Sequence, residues 1–495
     1  MRKTKNTESF CHSILQLEVG KSKALANLVM GLASQQDANS PTAISLSRCY
    51  HYQYSSISDA INALHEESRY AEGDRQQARL ELEHKLLSLK KDYLAKPFGK
   101  FYLLNTDSSS LIRPHSPTLP ERSHVYVANN RVKGNRPVDI GYSISVVGLA
   151  ARRPLYGAAE GAWNLPLSIR RLGVNSQGHR FAARQVGDLL NNEQLPFGQH
   201  LTVNASDRYY GSPEYIAPLY EQPNLVNTIR LANNRAVWKA LTDQELKQRR
   251  ADNADNRGAN AVYGEKYKLS EVEQWELPAD EETTFGVALA NGRRVLVQVQ
   301  AWDNMMIRTK RGMNMKDKPF RLASVRLLDP ETNEPIFKRR MWLGVWGQRA
   351  GEMSLEELYW AYRQRFDVEH FLRFGKQGLL MDSFQTPDVE HLDNWMEIVS
   401  LAYWLLWVAK EEAKPIVHKW QQYEKRYKQR LGHGLPASPS EVRRYIEFII
   451  LSFDQEPFFP KVQIKSKGRQ EGDIQPKRKL YKVVRKGKKA REKRA

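Results

Sequence analysis

Apolar and polar positions divide the chain into a helical beginning, two regions of mixed pattern, a second helical region and a polar end. Apolar residues recur at three- and four-residue intervals in "SSISDAINALHEES" and in "DRQQARLELEHKLLSLKKDYL". Serines precede the first of these runs, and serine is a frequent helix start. The pattern predicts a helical N-terminal domain over residues 1–95.

The pattern changes to short strands after "KPFGK". An apolar run over residues 101–104 leads into Asp107, and the strand-like runs "HVYVANN" and "DIGYSISVVGLAA" follow. A helix is predicted from about Gln177 to Asn191, and a fourth strand, "HLTVNASD", ends at Asp207. We therefore expect an α/β unit over residues 96–232. An aspartate closes its first and fourth strands, at the sheet end where ligands gather.

Three further segments are distinguished by pattern. Residues 233–345 contain alternating runs such as "RRVLVQVQAW", which predict a β-rich insertion. Helical spacing returns over 346–455, and residues 456–495 form a basic tail that we expect to be disordered. From Lys461 onward the tail holds 15 Lys or Arg against three Asp or Glu. A solubilising tail without a specific role is the alternative interpretation.

The most apolar run, "IVSLAYWLLWVA" over residues 398–409, is too short for a bilayer, which needs about 20 residues. It predicts a buried helix, and the chain opens without the apolar segment of a secretory signal. We therefore expect a soluble cytoplasmic protein without a membrane partner. Two cysteines, Cys11 and Cys49, suit a reducing compartment, and their spacing to histidines matches no usual zinc pattern.

The overall charge points to a polyanionic partner. Lys and Arg number 76 against 56 Asp and Glu, which gives a net charge of +20 and a pI near 9.6. Membrane surfaces and acidic proteins are possible partners for such a chain, but nucleic acid is the commonest one. The helices of residues 1–95 are candidates for DNA binding.

Candidate chemistry concentrates in "YRQRFDVEHFLRFGK", residues 362–376. On one continuous helix, five side chains would share a stripe of roughly 80°, because each residue advances about 100°. These five are Tyr362, Arg365, Glu369, Arg373 and Lys376. Asp367 would face the opposite side, so the two acids of the segment are not equivalent. A salt-bridged surface helix is the alternative interpretation.

Three acids could form a metal site with this stripe. Asp107 and Asp207 end predicted strands, and Glu369 lies beside cations suited to phosphate. Phosphodiester cleavage is well served by two Mg²⁺ or Mn²⁺ ions about 3.5–4 Å apart, and both ions prefer carboxylate oxygens. Alone, either aspartate would more often be a structural, turn-forming residue than a catalytic one. The combination with Glu369 favours catalysis.

The motif Tyr362-x2-Arg365-x3-Glu369-x6-Lys376 resembles the YREK signature of bacterial insertion-sequence DDE transposases. "FYLLNTDSSS" and "LTVNASDRYYGS" are similar to the two aspartate strands of that family, over a resemblance that spans about residues 95–410. Many relatives carry a second acid directly after the first aspartate, where this chain has Ser108.

The resemblance implies an RNase H-like catalytic core interrupted by the β-rich insertion. It implies Asp107, Asp207 and Glu369 as catalytic acids and ligands of two Mg²⁺ ions, with Mn²⁺ as a substitute. Tyr362, Arg365 and Lys376 would bind DNA phosphates, and Arg373 lies on their stripe outside the signature.

The implied activity is metal-dependent cleavage at the inverted-repeat ends of a transposon, followed by joining to target DNA. The implied assembly is a homodimer on double-stranded DNA, in the nucleoid of a prokaryotic cell. Relatives hold a flipped base with a tryptophan of the insertion. Trp342 and Trp346 are candidates for that role here, although core tryptophans in a strand are the commoner case.

Two other functions are compatible with the sequence. A domesticated or inactive relative would bind DNA without cutting it. An RNase H-like nuclease would cut without joining strands.

Overall fold

The computed structural model has mixed α/β architecture, in agreement with the predicted class. No helix in the described part of the chain is long and apolar enough to cross a membrane. The structure describes residues 5–66, 69–71, 73–127, 138–151, 162–252, 262–289, 293–309, 313–413, 437–456, 461, 472, 474 and 477–485.

The N-terminal region is helical, as its pattern predicts. Its α-helices are α1 (Lys5–Leu15), α2 (Ser22–Ser34), α3 (Ser55–Leu64) and α4 (Arg75–Lys90). Helix α2 is apolar on nearly all sides and packs against α1, α3 and a long C-terminal helix, α10 (Val389–Ala409). A helix without a polar face is stable only when neighbours cover it. The N-terminal helices therefore share one core with the C-terminal region.

The next region builds one part of a large sheet. Its elements are β1 (Tyr102–Ile112), β2 (Ser123–Tyr126), β3 (Val138–Ala150), β4 (Asn164–Leu172), α5 (Gly178–Leu190), β5 (Thr202–Ser206), α6 (Pro213–Tyr220) and β6 (Leu225–Leu231). Strand β3 is antiparallel to both β1 and β4, whereas β5 is parallel to β1 and β6 is parallel to β5. The resulting order is β4-β3-β1-β5-β6.

Two details of this region differ from the sequence prediction. Strand β1 continues to Ile112 instead of ending near Leu104, because its second half pairs with β3 in an antiparallel arrangement. Strand β4 was not predicted, since Pro166 and the cations Arg170 and Arg171 interrupt its apolar alternation. Helix α5 and strand β5 lie where the pattern predicted them.

The region predicted as β-rich continues the same sheet. Its elements are β7 (Ala236–Ala240), α7 (Asp243–Asp252), β8 (Tyr263–Lys268), β9 (Glu281–Ala288), β10 (Arg294–Met306), β11 (Phe320–Leu328) and β12 (Met341–Trp346). Strand β12 pairs antiparallel with β6, and β11 and β10 follow outward. The predicted boundary at residue 345 thus falls inside β12. Gly347 has φ 140°, and a Cβ there would lie 2.2 Å from the Leu225 oxygen, so this exit from β12 requires glycine.

Helices complete the chain: α8 (Leu355–Gln364), α9 (Phe366–Gly378), α10 and α11 (Pro439–Phe453). Helix α8 begins with a capping box between Ser354 and Glu357, which fixes its first turn. It packs against strands of both halves of the sheet, β5 and β6 on one side and β9 and β10 on the other. Helix α10 carries the predicted apolar run and is buried along nearly its whole length.

Part of the basic tail, which we expected to be disordered, docks on the edge of the sheet. The amides of Tyr481 and Val484 donate to the oxygens of Pro117 and Arg122, at 2.9 and 2.7 Å. Val484 also forms a parallel bridge with Ser123 of β2. Residues 477–485 therefore extend the edge at β2. The remaining tail residues after 461, apart from 472 and 474, lie outside the described residues.

Candidate active site

Asp107 and Asp207 occupy equivalent positions on neighbouring parallel strands. The register of β1 and β5 pairs Thr106 with Ser206, and each aspartate is the next residue. Neighbouring strands lie about 4.8 Å apart, so the two carboxylates emerge side by side. Asp207 ends β5 as predicted, but Asp107 lies in the middle of β1. That part of the prediction is wrong, because β1 pairs with β3 as far as Ile112, whereas its pairing with β5 ends at Thr106.

Local hydrogen bonds orient each aspartate. Asp107 Oδ1 accepts from the Ser108 amide at 2.8 Å. Asp207 Oδ1 accepts from the Tyr209 amide at 2.9 Å and caps the short 3-10 turn that follows β5. In both cases the second carboxylate oxygen does not take part in that bond. Each aspartate is fixed by its own backbone yet keeps an oxygen for another partner.

A buried amide network lies directly below the two aspartates. Asn204 of β5 accepts from the Thr106 hydroxyl at 2.8 Å and donates to Asn227 of β6 at 2.9 Å. It also lies 2.7 Å from the hydroxyl of Tyr215 on α6. All four residues are buried, so these bonds are shielded from water. The network aligns three strands and one helix at the level of the aspartates.

Glu369 reaches the aspartates through Arg365. The guanidinium lies 2.7 Å from Glu369 Oε1 and 3.4 Å from Asp107 Oδ2. The Arg365 side chain is 7% exposed, whereas that of Glu369 is 44% exposed. Helix α9 packs against β1, which holds Glu369 on the Asp107 side of the sheet. The structure thus brings the third predicted acid to the first.

Asp367 faces the opposite direction, as the helical pattern predicted. It is fully buried, and its Oδ2 accepts from the Gln364 amide at 3.2 Å. The same amide also donates to the Ala151 oxygen at 3.2 Å, at the end of β3. Asp367 therefore anchors α9 against the sheet, and Glu369 is the acid of this segment that faces Asp107.

The three acids interact electrostatically. The pKa of Asp107 is raised from 3.8 to about 6, mainly because burial disfavours its charged form. Arg365 and the Ser108 amide oppose the rise, whereas the charges of Asp207 and Glu369 add to it. Both acids are therefore close enough to Asp107 to repel its negative charge.

Tyr362 lies beside Arg365 but on a separate helix. Helices α8 and α9 meet at Arg365, whose amide bonds the oxygen of Tyr362 three residues earlier, at 3.1 Å. The single continuous helix assumed for the stripe is therefore interrupted by a tight turn. Tyr362 is buried, and burial raises the pKa of its hydroxyl. That hydroxyl makes no hydrogen bond of ordinary geometry within the described residues.

Lys376 and Arg373 differ in their surroundings. Lys376 Nζ donates to the Ser110 oxygen of β1 at 2.6 Å and lies 3.5 Å from Asp382 Oδ2. Arg373 is exposed on α9 and forms no ion pair within the described part of the chain. Lys376 is thus held along β1 beyond Asp107, while Arg373 points its charge to solvent.

A basic groove of about 1070 Å³ opens beside Asp207. It runs along the ends of β6 and β12 and the connection before β12. Most of its charged lining is cationic: Arg208, Arg230, Arg326, Lys338, Arg339, Arg340, Arg363 and Arg365, against Asp207 and Glu273. Phe337 also lines the groove and is 61% exposed.

Most of these groove residues escaped the sequence analysis. The run "KRRMWLGVWG" was predicted only as a strand, but β12 begins at Met341, after the three cations. Three successive cations beside an aromatic residue, here Phe337, are a signal for nucleic-acid contact. Arg230 and Arg208 carry no such local signal, because their proximity to Asp207 arises from the strand order.

The tryptophans considered for base stacking belong to the core. Trp342 is 1% exposed and packs near Trp275 and Trp302, with ring centroids 5.6 and 5.8 Å away. Trp346 is fully buried and stacks on Phe320 at 4.3 Å. In this conformation neither ring is available to an extruded base.

The acids have the chemistry of a divalent-cation site. Asp107, Asp207 and Glu369 supply the hard oxygen donors that Mg²⁺ and Mn²⁺ prefer. A cation already bridges two of them, and burial, with a smaller contribution from the charges of Asp207 and Glu369, raises the pKa of Asp107. In this conformation, no group of three or more acid, histidine or cysteine side chains among the described residues is arranged to hold a metal ion. The chemistry of these donors fits such an ion, and Arg365 now contacts two of the three carboxylates.

Comparison of the chain with protein-family models and with curated protein sequences found no match.

Proposed function

We propose that this chain is a DDE transposase of an insertion sequence. The observation that carries the proposal is the convergence of Asp107, Asp207 and Glu369 from β1, β5 and α9, beside a groove rich in arginine. The three acids lie far apart in the sequence, and burial, to which the charges of Asp207 and Glu369 add, raises the pKa of Asp107. Perturbed acids in a cleft are typical of functional sites.

The strand order supports an RNase H-like core. In the order β4-β3-β1-β5-β6, three antiparallel strands are followed by two parallel ones, with α5 and α6 in the connections. We interpret this unit as the catalytic core and β7–β12 as its insertion. The insertion then forms one wall of the groove, through Arg326 and Arg339, beside the acids.

In the proposed site, Asp107, Asp207 and Glu369 would hold two Mg²⁺ ions. Bound metal would supply a water or 3′-hydroxyl nucleophile at neutral pH and stabilise the leaving oxygen. The protein's own cations would orient the DNA strand: Arg365 by a forked contact to a phosphate, and Lys376 as a point charge farther along β1. The buried hydroxyl of Tyr362 could then donate to a phosphate oxygen.

The proposed partners are the inverted-repeat ends of a transposon and a target DNA, bound by a homodimer. The net charge of +20 and the cationic groove support a polyanionic duplex as ligand. The proposed location is the nucleoid of a prokaryotic cell.

The proposal is tested with a plasmid that carries the gene and its natural flanking DNA. Purified protein and Mg²⁺ are added, and the products are sequenced across new junctions. Joined transposon–target products support a transposase. Cleavage without joining would instead favour an RNase H-like nuclease, and end-specific binding without cleavage in Mg²⁺ or Mn²⁺ would favour an inactive DNA-binding relative.

A further inference from the structure

Arg365 neutralises two carboxylates that a metal ion would need. Its guanidinium lies 2.7 Å from Glu369 Oε1 and 3.4 Å from Asp107 Oδ2, and its side chain is only 7% exposed. The other Asp107 oxygen accepts from the Ser108 amide. A divalent ion held by Asp107 and Glu369 would compete with the guanidinium for these carboxylates.

The same side chain also belongs to the phosphate-binding surface. Arg365 lines the basic groove together with Tyr362 and Arg230. Within the described residues, neither Arg365 Nε nor the Tyr362 hydroxyl makes a hydrogen bond of ordinary geometry, although both atoms are buried. The two side chains do interact, since Arg365 partly offsets the rise that burial causes in the pKa of Tyr362. Unsatisfied buried donors are costly, and a phosphate oxygen would satisfy them. The guanidinium therefore lies between the two carboxylates and the groove in which a phosphate would bind.

We propose that Arg365 is an exchangeable counter-ion that couples metal binding to DNA binding. In the free protein it holds Asp107 and Glu369 in an ion pair and keeps metal affinity low. When a DNA phosphate enters the groove, the guanidinium turns to the phosphate and leaves both carboxylates to a divalent ion. The inference rests on the proposed function and adds a regulation of that site.

The coupling must be reciprocal. If DNA raises the affinity for the metal by a given factor, the metal raises the affinity for DNA by the same factor. The coupling would limit cleavage by the free protein, because metal occupancy would follow engagement of a phosphate. Arg250 provides a control, since it is an exposed cation of α7 that lies outside the groove lining.

The test measures Mn²⁺ binding by electron paramagnetic resonance, with full-length protein alone and with a 40-base-pair duplex from the gene's flank. Wild-type protein should bind Mn²⁺ at least about tenfold more tightly with the duplex. Arg365→Gln should bind Mn²⁺ at least about tenfold more tightly than wild type without DNA, and should gain little from the duplex. Arg250→Gln should behave as wild type.

Equal Mn²⁺ affinity of Arg365→Gln and wild type in the absence of DNA would overturn the inference. If circular dichroism shows that Arg365→Gln does not fold, Arg365→Lys replaces it. Its ammonium can contact one carboxylate at a time, so an intermediate affinity is expected and an unchanged one would contradict the inference. Failure of wild type to bind any duplex would contradict the proposed function, while the DNA-free comparison would still decide whether Arg365 competes with metal.

Discussion

Asp107 and Asp207 each follow the last paired residue of two neighbouring parallel strands, so their carboxylates lie side by side although 100 positions separate them in the sequence. The pairing of Thr106 with Ser206 fixes this relationship, and Asn204 secures it from below. Glu369 then joins the pair through Arg365. The proposed chemistry depends on this alignment of strands.

Replacing Asn204 with Ala should destabilise the protein and misalign the aspartates. The change leaves Thr106, Asn227 and Tyr215 without a shared buried partner, which should cost about 2–4 kcal/mol. The measurement is urea unfolding followed by circular dichroism. Asn191→Ala, at an exposed helix end, is the control and should change stability by less than about 0.5 kcal/mol. A loss of similar size in both variants would contradict a special role of the network.

The contribution of Asp107 to the stability of the metal-free protein should fall as the pH rises from about 4 to about 6. Over that range Asp107 ionises in the unfolded chain, where its pKa is near 3.8, but stays protonated in the folded one, where its pKa is about 6. Because folding opposes the ionisation of Asp107, this group lowers the free energy of unfolding by about 3 kcal/mol above pH 6.

The comparison of wild type with Asp107→Asn isolates this effect. Both are unfolded in urea with a chelator present at pH 4, 5, 6 and 7. The variant should lose less stability than wild type over this range, and Glu356→Gln, on the exposed face of α8, should follow wild type. Parallel curves for Asp107→Asn and wild type would show that Asp107 has an ordinary pKa.

Removing the docked tail should expose the sheet edge at β2. A chain that ends at residue 476 loses the bonds from Tyr481 and Val484 to Pro117 and Arg122. Amide hydrogen exchange at Ser123–Tyr126 should then become faster, by about tenfold for each 1.4 kcal/mol of lost protection. A chain that ends at residue 485 keeps these bonds and should exchange as the full chain does. Equal exchange in both truncations would argue against docking.

Neutralising Lys338 and Arg339 should weaken DNA binding and reduce its salt dependence. Both line the groove beside Phe337, and each lost phosphate contact should lower the slope of log affinity against log salt by about 0.9. The measurement is fluorescence anisotropy with a labelled duplex at several salt concentrations. The matched control neutralises Lys247 and Arg250, two exposed cations of α7 outside the groove lining. Equal slopes for the two double variants would exclude the groove as the DNA site.

The sequence predicted individual site residues better than their surroundings. Asp207 and the facing directions of Glu369 and Asp367 followed from local pattern, because strand ends and helical spacing are local properties. The groove could not be derived in this way. Its cations come from β6, the connection before β12 and α8, and the pairing of β12 with β6 that joins them is a long-range contact.

The extent of β1 shows the same limit. Polar residues Asp107–Ser110 suggest a turn, yet they remain in a strand because β3 pairs with them residue by residue. The prediction from local composition therefore placed the end of the strand too early, because pairing with β3 determines where the strand ends. The tight turn at Arg365 likewise has no marker such as proline or glycine in the sequence.

The central claim is that Asp107, Asp207 and Glu369 act together in metal-dependent DNA cleavage, and single substitutions test it most directly. Wild type, Asp207→Ala, Glu369→Ala and the control Glu356→Gln are incubated with Mg²⁺ and the plasmid that carries the gene with its flanks. We predict cleavage at the element's ends by wild type and Glu356→Gln, and a loss of at least about 10³-fold in Asp207→Ala and Glu369→Ala with duplex binding retained. Cleavage at the wild-type rate by either alanine variant would contradict the account.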